Sequence, residues 1–172
     1  MGCRFDIAPQ SGYNTRMNDQ RLSNLLHPTW RCLPLVGALV LLYLMIFSFS
    51  AQDADTSAGL SERITRLFVD PASPAFPTAH ITTRKLAHAA EFALLFLVWH
   101  LLMTDLLPNA PALVRYGIPM LFTALSAVAD ELSQLRSPGR ACSPLDMLID
   151  ISGAILMALL VLAVRRLLLP AN

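Results

Sequence analysis

Four long apolar stretches constrain the fold of this chain more than any other feature of its sequence. They lie at about 33–50, 86–107, 112–131 and 145–169. Each approaches the roughly 20 residues that an α-helix needs to cross a hydrocarbon core. Because backbone amide and carbonyl groups must be paired inside lipid, stretches of this kind are helices rather than strands. The sequence therefore predicts an all-α integral membrane bundle of four transmembrane helices.

Composition agrees with a protein that lies in a lipid bilayer. Of its 172 residues, 55% are hydrophobic and 15% are charged, whereas soluble domains average about 25% charged residues. The length allows one domain, over residues 33–169. A net charge of +1 gives no reason to expect nucleic acid as a partner. No motif identifies a cofactor.

The segments outside the spans carry weaker signals. Residues 1–32 are polar and contain Arg, and we expect a poorly ordered cytoplasmic tail. The first apolar stretch is longer than the usual apolar core of a signal peptide, about 7–15 residues, so it is interpreted as an uncleaved anchor. Pro119 lies inside the third stretch, and the helix is expected to kink there or to begin close to it.

The connection over residues 51–85 begins with a polar sequence, QDADTSAG. In the following LSERITRLF, Leu60, Ile64, Leu67 and Phe68 share one helical face, which predicts a short interfacial helix between the first and second spans. The alternative is a plain loop. The prolines of the next sequence, PASPAFPTAH, predict an extended segment.

Basic residues near the span ends indicate the orientation. Seven lie in the tails and the second loop, and six lie in the first and third loops. Because basic residues favour the cytoplasmic side, this small excess predicts that both termini are cytoplasmic. The use of twelve Arg against a single Lys indicates a GC-rich bacterial genome, so the expected location is the cytoplasmic (inner) membrane of a bacterium.

Ionisable and polar residues collect at one end of the predicted bundle. Antiparallel spans bring the start of the second, the end of the third and the start of the fourth to the same membrane face. With the termini inside, that face is the outer one. Since ionisable groups in spans usually face the bundle interior or a wet cavity, they predict a single site. Its members are Lys85, His88, Glu91, Asp130, Glu131, Gln134, Arg140, Asp146 and Asp150.

One interpretation of this cluster is a site for an anionic or lipid-linked envelope headgroup. Arg140 can bind a phosphate or carboxylate through two parallel hydrogen bonds. His88 can act as a general acid or base, with Asp130 or Glu131 orienting its ring. These three are the candidate catalytic residues, although the sequence leaves open whether the protein is an enzyme. The candidate ligand-binding residues are Lys85, Glu91, Gln134, Arg140, Asp146 and Asp150.

Three alternatives remain. The acids and His88 could bind a metal ion, but no tight ligand motif such as HExxH is present, so no metal ligand is predicted. The charged ends could instead be structural, with Asp146 capping the fourth span in a non-catalytic scaffold or assembly factor. An ion-coupled transporter is disfavoured because charges are lacking near the membrane midplane.

Three stretches of the sequence resemble the VanZ-like family of small polytopic bacterial membrane proteins. They are RKLAHAAEFALLF (84–96), ADELSQLRSPGR (129–140) and SPLDMLIDISGAILM (143–157). The positions that carry the resemblance are Lys85, His88, Phe92, Asp130, Glu131, Gln134, Pro138, Gly139, Arg140, Asp146 and Gly153. The chain departs from the family at Phe92, where Tyr is common, and at Asp150, where Asn is common. The resemblance implies a cell-envelope protein associated with low-level glycopeptide (teicoplanin) resistance.

Overall fold

The protein is a bundle of helices joined by short turns. A computed structural model describes residues 32–168, and this part of the chain contains no strand. The helices are α1 (Leu33–Ser50), α2 (Ala54–Thr65), α3 (Phe76–Leu106), a π-helical turn (Leu113–Gly117) that runs into α4 (Ile118–Gln134), and α5 (Pro144–Leu168). The segments long and apolar enough to cross a membrane are α1, α3, Leu113–Gln134 and α5. The predicted all-α membrane bundle of four spanning helices is confirmed.

Helix α3 begins ten residues before the predicted second span, at Phe76 rather than at 86. The extended segment predicted from PASPAFPTAH was wrong, because its first half forms turns and its second half is helical. Pro77 lies in the first turn of α3, where a missing N–H leaves no hydrogen bond unmade. At 1.5 Å per residue the 31 residues of α3 extend for about 46 Å, more than a hydrocarbon core of about 30 Å. Its first turns therefore reach beyond the core, beside α2.

Helix α2 confirms the short helix expected between the first two spans, but its range differs from the prediction. The Asp53 side chain accepts a hydrogen bond from the Thr56 backbone N–H at 2.7 Å, and this cap starts the helix within the polar sequence. Because α2 ends at Thr65, Leu67 and Phe68 lie in the turn after it, and their side chains are exposed. Ser61 joins α2 to α3 through a 2.8 Å hydrogen bond with His80.

The third span starts as a π-helix and becomes an α-helix at Ile118, with Pro119 in the first α-helical turn. The carbonyl oxygen of Arg115, inside the π-helical turn, accepts a hydrogen bond of 2.8 Å from His100 Nδ1 on α3. Turns of this kind leave carbonyl groups without their usual partner. His100 therefore supports the irregular start of this span.

Helices α3 and α5 approach each other closely at Gly153. A Cβ added there would overlap the backbone carbonyl of Ala89. Small residues allow such an approach between membrane helices, and the neighbouring Ala154 is fully buried. Helix α3 also packs against α1, α2 and α4, and its Phe92 and Phe96 are fully buried. The contact between Gly153 and Ala89 sets the N-terminal half of α3 against the first turns of α5.

The predictions for the two termini lie largely outside the described residues. The tail expected over residues 1–32 falls there except for Cys32, the residue that precedes α1. Its thiol donates a hydrogen bond of 3.0 Å to Asp105 at the far end of α3. The fourth span is described to Leu168, so the predicted end at 169 is also outside.

Candidate functional site

The end of the bundle opposite Asp105 gathers the predicted cluster. It is built from the N-terminal half of α3, the last turn of α4, the loop 135–143 and the first two turns of α5. Lys85 Nζ lies 3.8 Å from Asp146 Oδ1, and His88 Nδ1 lies 3.8 Å from Asp150 Oδ1. Residues distant in sequence thus share one site.

Asp130 is the centre of a buried hydrogen-bonded group. Ser50 Oγ, at the end of α1, donates to Asp130 Oδ1. Gln134 Nε2 donates to Asp130 Oδ2 and to Glu131 Oε1, each at 3.0 Å. The side chains of Asp130, Glu131 and Gln134 are all buried. Ser50 was not predicted, because a small neutral donor at a span end has no distinguishing sequence signal.

Glu131 connects α4 to α5. Its Oε2 accepts a hydrogen bond of 2.7 Å from the Ser143 backbone N–H, just before α5, while its other oxygen accepts from Gln134. Both carboxylate oxygens are therefore occupied by contacts within the protein. This geometry suits a residue that fixes the loop 135–143 in place, and it turns Glu131 towards the loop.

Ser143, rather than Asp146, caps α5. The Asp146 backbone N–H donates to Ser143 Oγ at 3.3 Å, with Pro144 in the first turn. The expectation that Asp146 caps this helix was wrong, because the capping side chain lies three residues earlier. Asp146 is instead available to pair with Lys85, and both side chains are about one-third exposed, at 29% and 34%.

Arg140 is a cation held in place by backbone carbonyl groups. Gly139 has a φ of +74°, a conformation that favours glycine, and it turns the loop back towards α1. There Arg140 Nη1 donates to the Phe49 carbonyl at 3.2 Å. Arg140 makes no ion pair with any carboxylate of the described residues. Partial burial lowers the pKa of its guanidinium below the ordinary value.

A polar cavity of about 130 Å³ lies beside Arg140. Gln134 and Asp146 reach it from α4 and α5, and Arg84 and His88 reach it from α3. Arg84 was not predicted as a site residue, although it stands next to Lys85. An unpaired guanidinium in a small polar cavity can bind an anion through two parallel hydrogen bonds.

A second, apolar cavity of about 80 Å³ adjoins the first. The two cavities share Ser57, Arg84, His88 and Arg140. Apolar side chains of α1, α2 and α3, namely Phe49, Leu60, Ile64 and Ala87, line the second one. Glu91 also lies here, outside the hydrogen-bonded group around Asp130. The site therefore offers a polar chamber and an apolar chamber side by side.

Asp150 and His88 form the deepest part of the site. Asp150 is fully buried, and neither of its carboxylate oxygens has a hydrogen-bond donor among the described residues. One atom each from His88, Asp130 and Asp150 lies within 4.8 Å of the others. This part of the site can hold a proton or a cation.

Comparison with known proteins identifies the family. Searches of curated proteins and of solved structures gave no match. The sequence profile of the VanZ/LLP1 family matches residues 35–166. That range covers most of the chain and includes every residue of the site described above. The protein is therefore a multi-pass membrane protein that belongs to the VanZ/LLP1 family, as its resemblance to VanZ-like sequences predicted.

Proposed function

We propose that this protein binds an anionic, lipid-linked component of the bacterial cell envelope. The observation that carries the proposal is Arg140, a partly buried guanidinium with no carboxylate partner among the described residues, at the wall of a polar cavity. Only Nη1 of this guanidinium is hydrogen-bonded to the described residues. The remaining donors of Arg140 suit a phosphate or a carboxylate.

The other basic residues strengthen this preference. Arg84 lines the same cavity, and Lys85 stands one residue further along α3. Lys85 already pairs with Asp146 at 3.8 Å, so the two arginines are the main free positive charges. A phosphate between Arg84 and Arg140 would place opposite charges together in partly dehydrated surroundings, where charge-assisted hydrogen bonds are strong.

The adjoining apolar cavity supports a lipid-linked ligand rather than a free anion. It borders the same arginines and is lined by Phe49, Leu60 and Ile64. A headgroup in the polar cavity could extend its chain past these side chains towards the bilayer. Burial of apolar groups there would add to the binding free energy.

Chemical modification of the bound component would depend on His88. Its ring lies at the boundary of the two cavities, and an unperturbed imidazole can gain or lose a proton near neutral pH. Asp130 and Asp150 lie on the inner side of this ring, within reach of its polar atoms. Resistance to glycopeptides such as teicoplanin would follow if the component were the drug's target or its precursor.

A non-catalytic scaffold is the second candidate, and one observation favours it. Gln134 donates hydrogen bonds to both Asp130 and Glu131, and contacts from Ser50 and Ser143 complete the group. Such a group can hold α1, α4 and α5 in register without binding anything. This alternative predicts that site variants lower the amount of folded protein, and that no ligand affinity exists to be lost.

Binding of a polyprenyl phosphate to protein in lipid nanodiscs distinguishes the two candidates. We expect saturable binding of the phosphate and weak binding of the matching polyprenyl alcohol. Arg140→Lys should weaken phosphate binding about tenfold, because an ammonium group does not make two parallel hydrogen bonds. Arg136→Lys, at an exposed position of the same loop, should leave the affinity unchanged.

Two results would contradict the proposal. Equal affinity for the phosphate and the alcohol would show that no anion is recognised. Equal affinities of Arg140→Lys, Arg136→Lys and the unaltered protein would show that the loop attracts anions only through its general charge, which both substitutions keep. Both variants need the same yield and the same elution profile as the unaltered protein for the comparison to count.

A further inference from the structure

Three side chains that can bind metals converge from three different helices. His88 comes from α3, Asp130 from α4 and Asp150 from α5, and one ligand atom of each lies within 4.8 Å of the others. The two aspartates are fully buried, and His88 is partly buried. The chain separates these residues by at least 20 positions, so their convergence is a property of the tertiary fold.

Asp150 is the most informative of the three. Both of its oxygens are buried and lack a hydrogen-bond partner among the described residues, and the same is true of His88 Nδ1. Buried polar groups are nearly always paired, since leaving them unpaired is costly. The two unpaired groups lie 3.8 Å apart, and a carboxylate oxygen of Asp130 lies within 4.8 Å of both residues.

The charges around Asp150 increase this cost. Two further acids lie close to the two aspartates along the chain: Glu131 follows Asp130 on α4, and Asp146 precedes Asp150 by one turn on α5. Among the nearby basic side chains, Lys85 pairs with Asp146, and neither Arg84 nor Arg140 forms an ion pair with Asp130 or Asp150 in the described part of the chain. Buried carboxylates that lack a Lys or Arg partner favour a bound positive ion.

Asp130 already has the supporting contacts that metal ligands commonly have. Each of its oxygens accepts one hydrogen bond, from Ser50 on one side and from Gln134 on the other. Hydrogen bonds of this kind fix the orientation of a ligating carboxylate and leave further lone pairs free. Asp130 can therefore bind an ion without giving up either contact.

We propose that His88, Asp130 and Asp150 bind a divalent transition-metal ion. One imidazole with two carboxylates suits Zn²⁺ or Mn²⁺, at ligand distances of about 2.0–2.2 Å. The three side chains would close slightly around the ion. Three protein ligands leave at least one coordination position for water or for a bound oxyanion. The ion would stand beside the polar cavity that His88 lines, but its binding does not depend on the proposed function.

The test is direct measurement of metal binding. The full-length protein, purified in detergent and stripped with a chelator, is loaded with Zn²⁺ or Mn²⁺ alone. Its metal content is then measured by mass spectrometry and its affinity by calorimetry. We expect one ion per chain. Asp150→Asn and His88→Gln should each weaken binding by about 100-fold, since each exchanges a strong ligand, a charged carboxylate or an imidazole nitrogen, for a weakly coordinating neutral amide oxygen.

Asp105→Asn is the matched control. This acid lies at the opposite end of α3, where it accepts a hydrogen bond from Cys32. The variant should keep full metal content. Cobalt absorption spectra supply a second measurement, because His88→Gln should alter the visible bands of bound Co²⁺ while Asp105→Asn leaves them intact.

Either of two results would overturn the proposal. The first is that the unaltered protein does not bind one Zn²⁺ or Mn²⁺ ion per chain. This result can be interpreted without any variant. The second is an Asp150→Asn protein that elutes normally and binds the ion as tightly as the parent. Failure of phosphate binding with metal binding intact would reject the proposed function alone.

Discussion

Ser50 shows how much a single hydroxyl can contribute at this site. It donates to the buried carboxylate of Asp130, which connects the end of α1 to the end of α4. Ser50→Ala leaves a carboxylate oxygen buried without that donor, so we expect a loss of about 1–3 kcal/mol in unfolding free energy. Thermal unfolding in detergent measures it. Ser48→Ala, two residues away on the same helix and exposed, should unfold like the parent. Equal unfolding of both variants would contradict this role.

The residue scale also shows what the sequence could reveal about the site. Charged residues near span ends must find partners or water, so His88, Asp130 and Arg140 could be selected from position alone. Ser50 and Ser143 carry no such signal, because a serine is common in any segment. Asp130 accepts hydrogen bonds, whereas Asp150 has no donor among the described residues. Whether a carboxylate finds a donor depends on how three helices pack. No spacing within one helix contains that information.

At the scale of helices, hydropathy predicted the segments inside lipid better than those at its boundary. The strongly apolar α1 covers Leu33–Ser50, which is the range that hydropathy predicted for the first span. The start of α3 is polar and contains Pro77, so neither hydropathy nor proline counting indicated a helix there. The first turns of α3 are stabilised by contacts with α2, such as the hydrogen bond between Ser61 and His80, rather than by burial in lipid.

The close contact between α3 and α5 leaves no room for a side chain at Gly153. Gly153→Ala places a methyl group against the Ala89 backbone, which has no side-chain freedom to yield. The helices must separate, and we expect a loss of about 1–3 kcal/mol. The same shift should weaken the metal binding proposed above, because His88 and Asp150 lie on these two helices.

Gly37→Ala in α1 is the control for Gly153→Ala. A Cβ at Gly37 meets no atom within 4 Å, so this variant should unfold at or above the temperature of the parent. Thermal unfolding measures both variants in the same detergent. A Gly153→Ala protein as stable as Gly37→Ala would show that the two helices do not need their close approach.

At the scale of the whole molecule, the distribution of basic residues predicts how the bundle is oriented in the membrane. Seven basic residues, Arg4, Arg16, Arg21, Arg31, Arg115, Arg165 and Arg166, lie on the side predicted to be cytoplasmic, and six lie on the other. So small an excess sets the orientation only weakly. The proposed envelope ligand requires the site to face outwards. We therefore expect alkaline phosphatase inserted in the loop 135–143 to be active, and the same enzyme fused to the C-terminus to be inactive.

The same balance makes the orientation easy to perturb. Replacing Arg165 and Arg166 with Gln leaves five basic residues against six, so part of the population should insert inverted and give activity to the C-terminal fusion. Arg63→Gln removes a basic residue from the outer side and should leave that fusion inactive. An active C-terminal fusion on the unaltered chain would put Arg140 and the polar cavity in the cytoplasm. An external ligand would then be impossible, whereas the metal site, which depends only on how α3, α4 and α5 pack, would be unaffected.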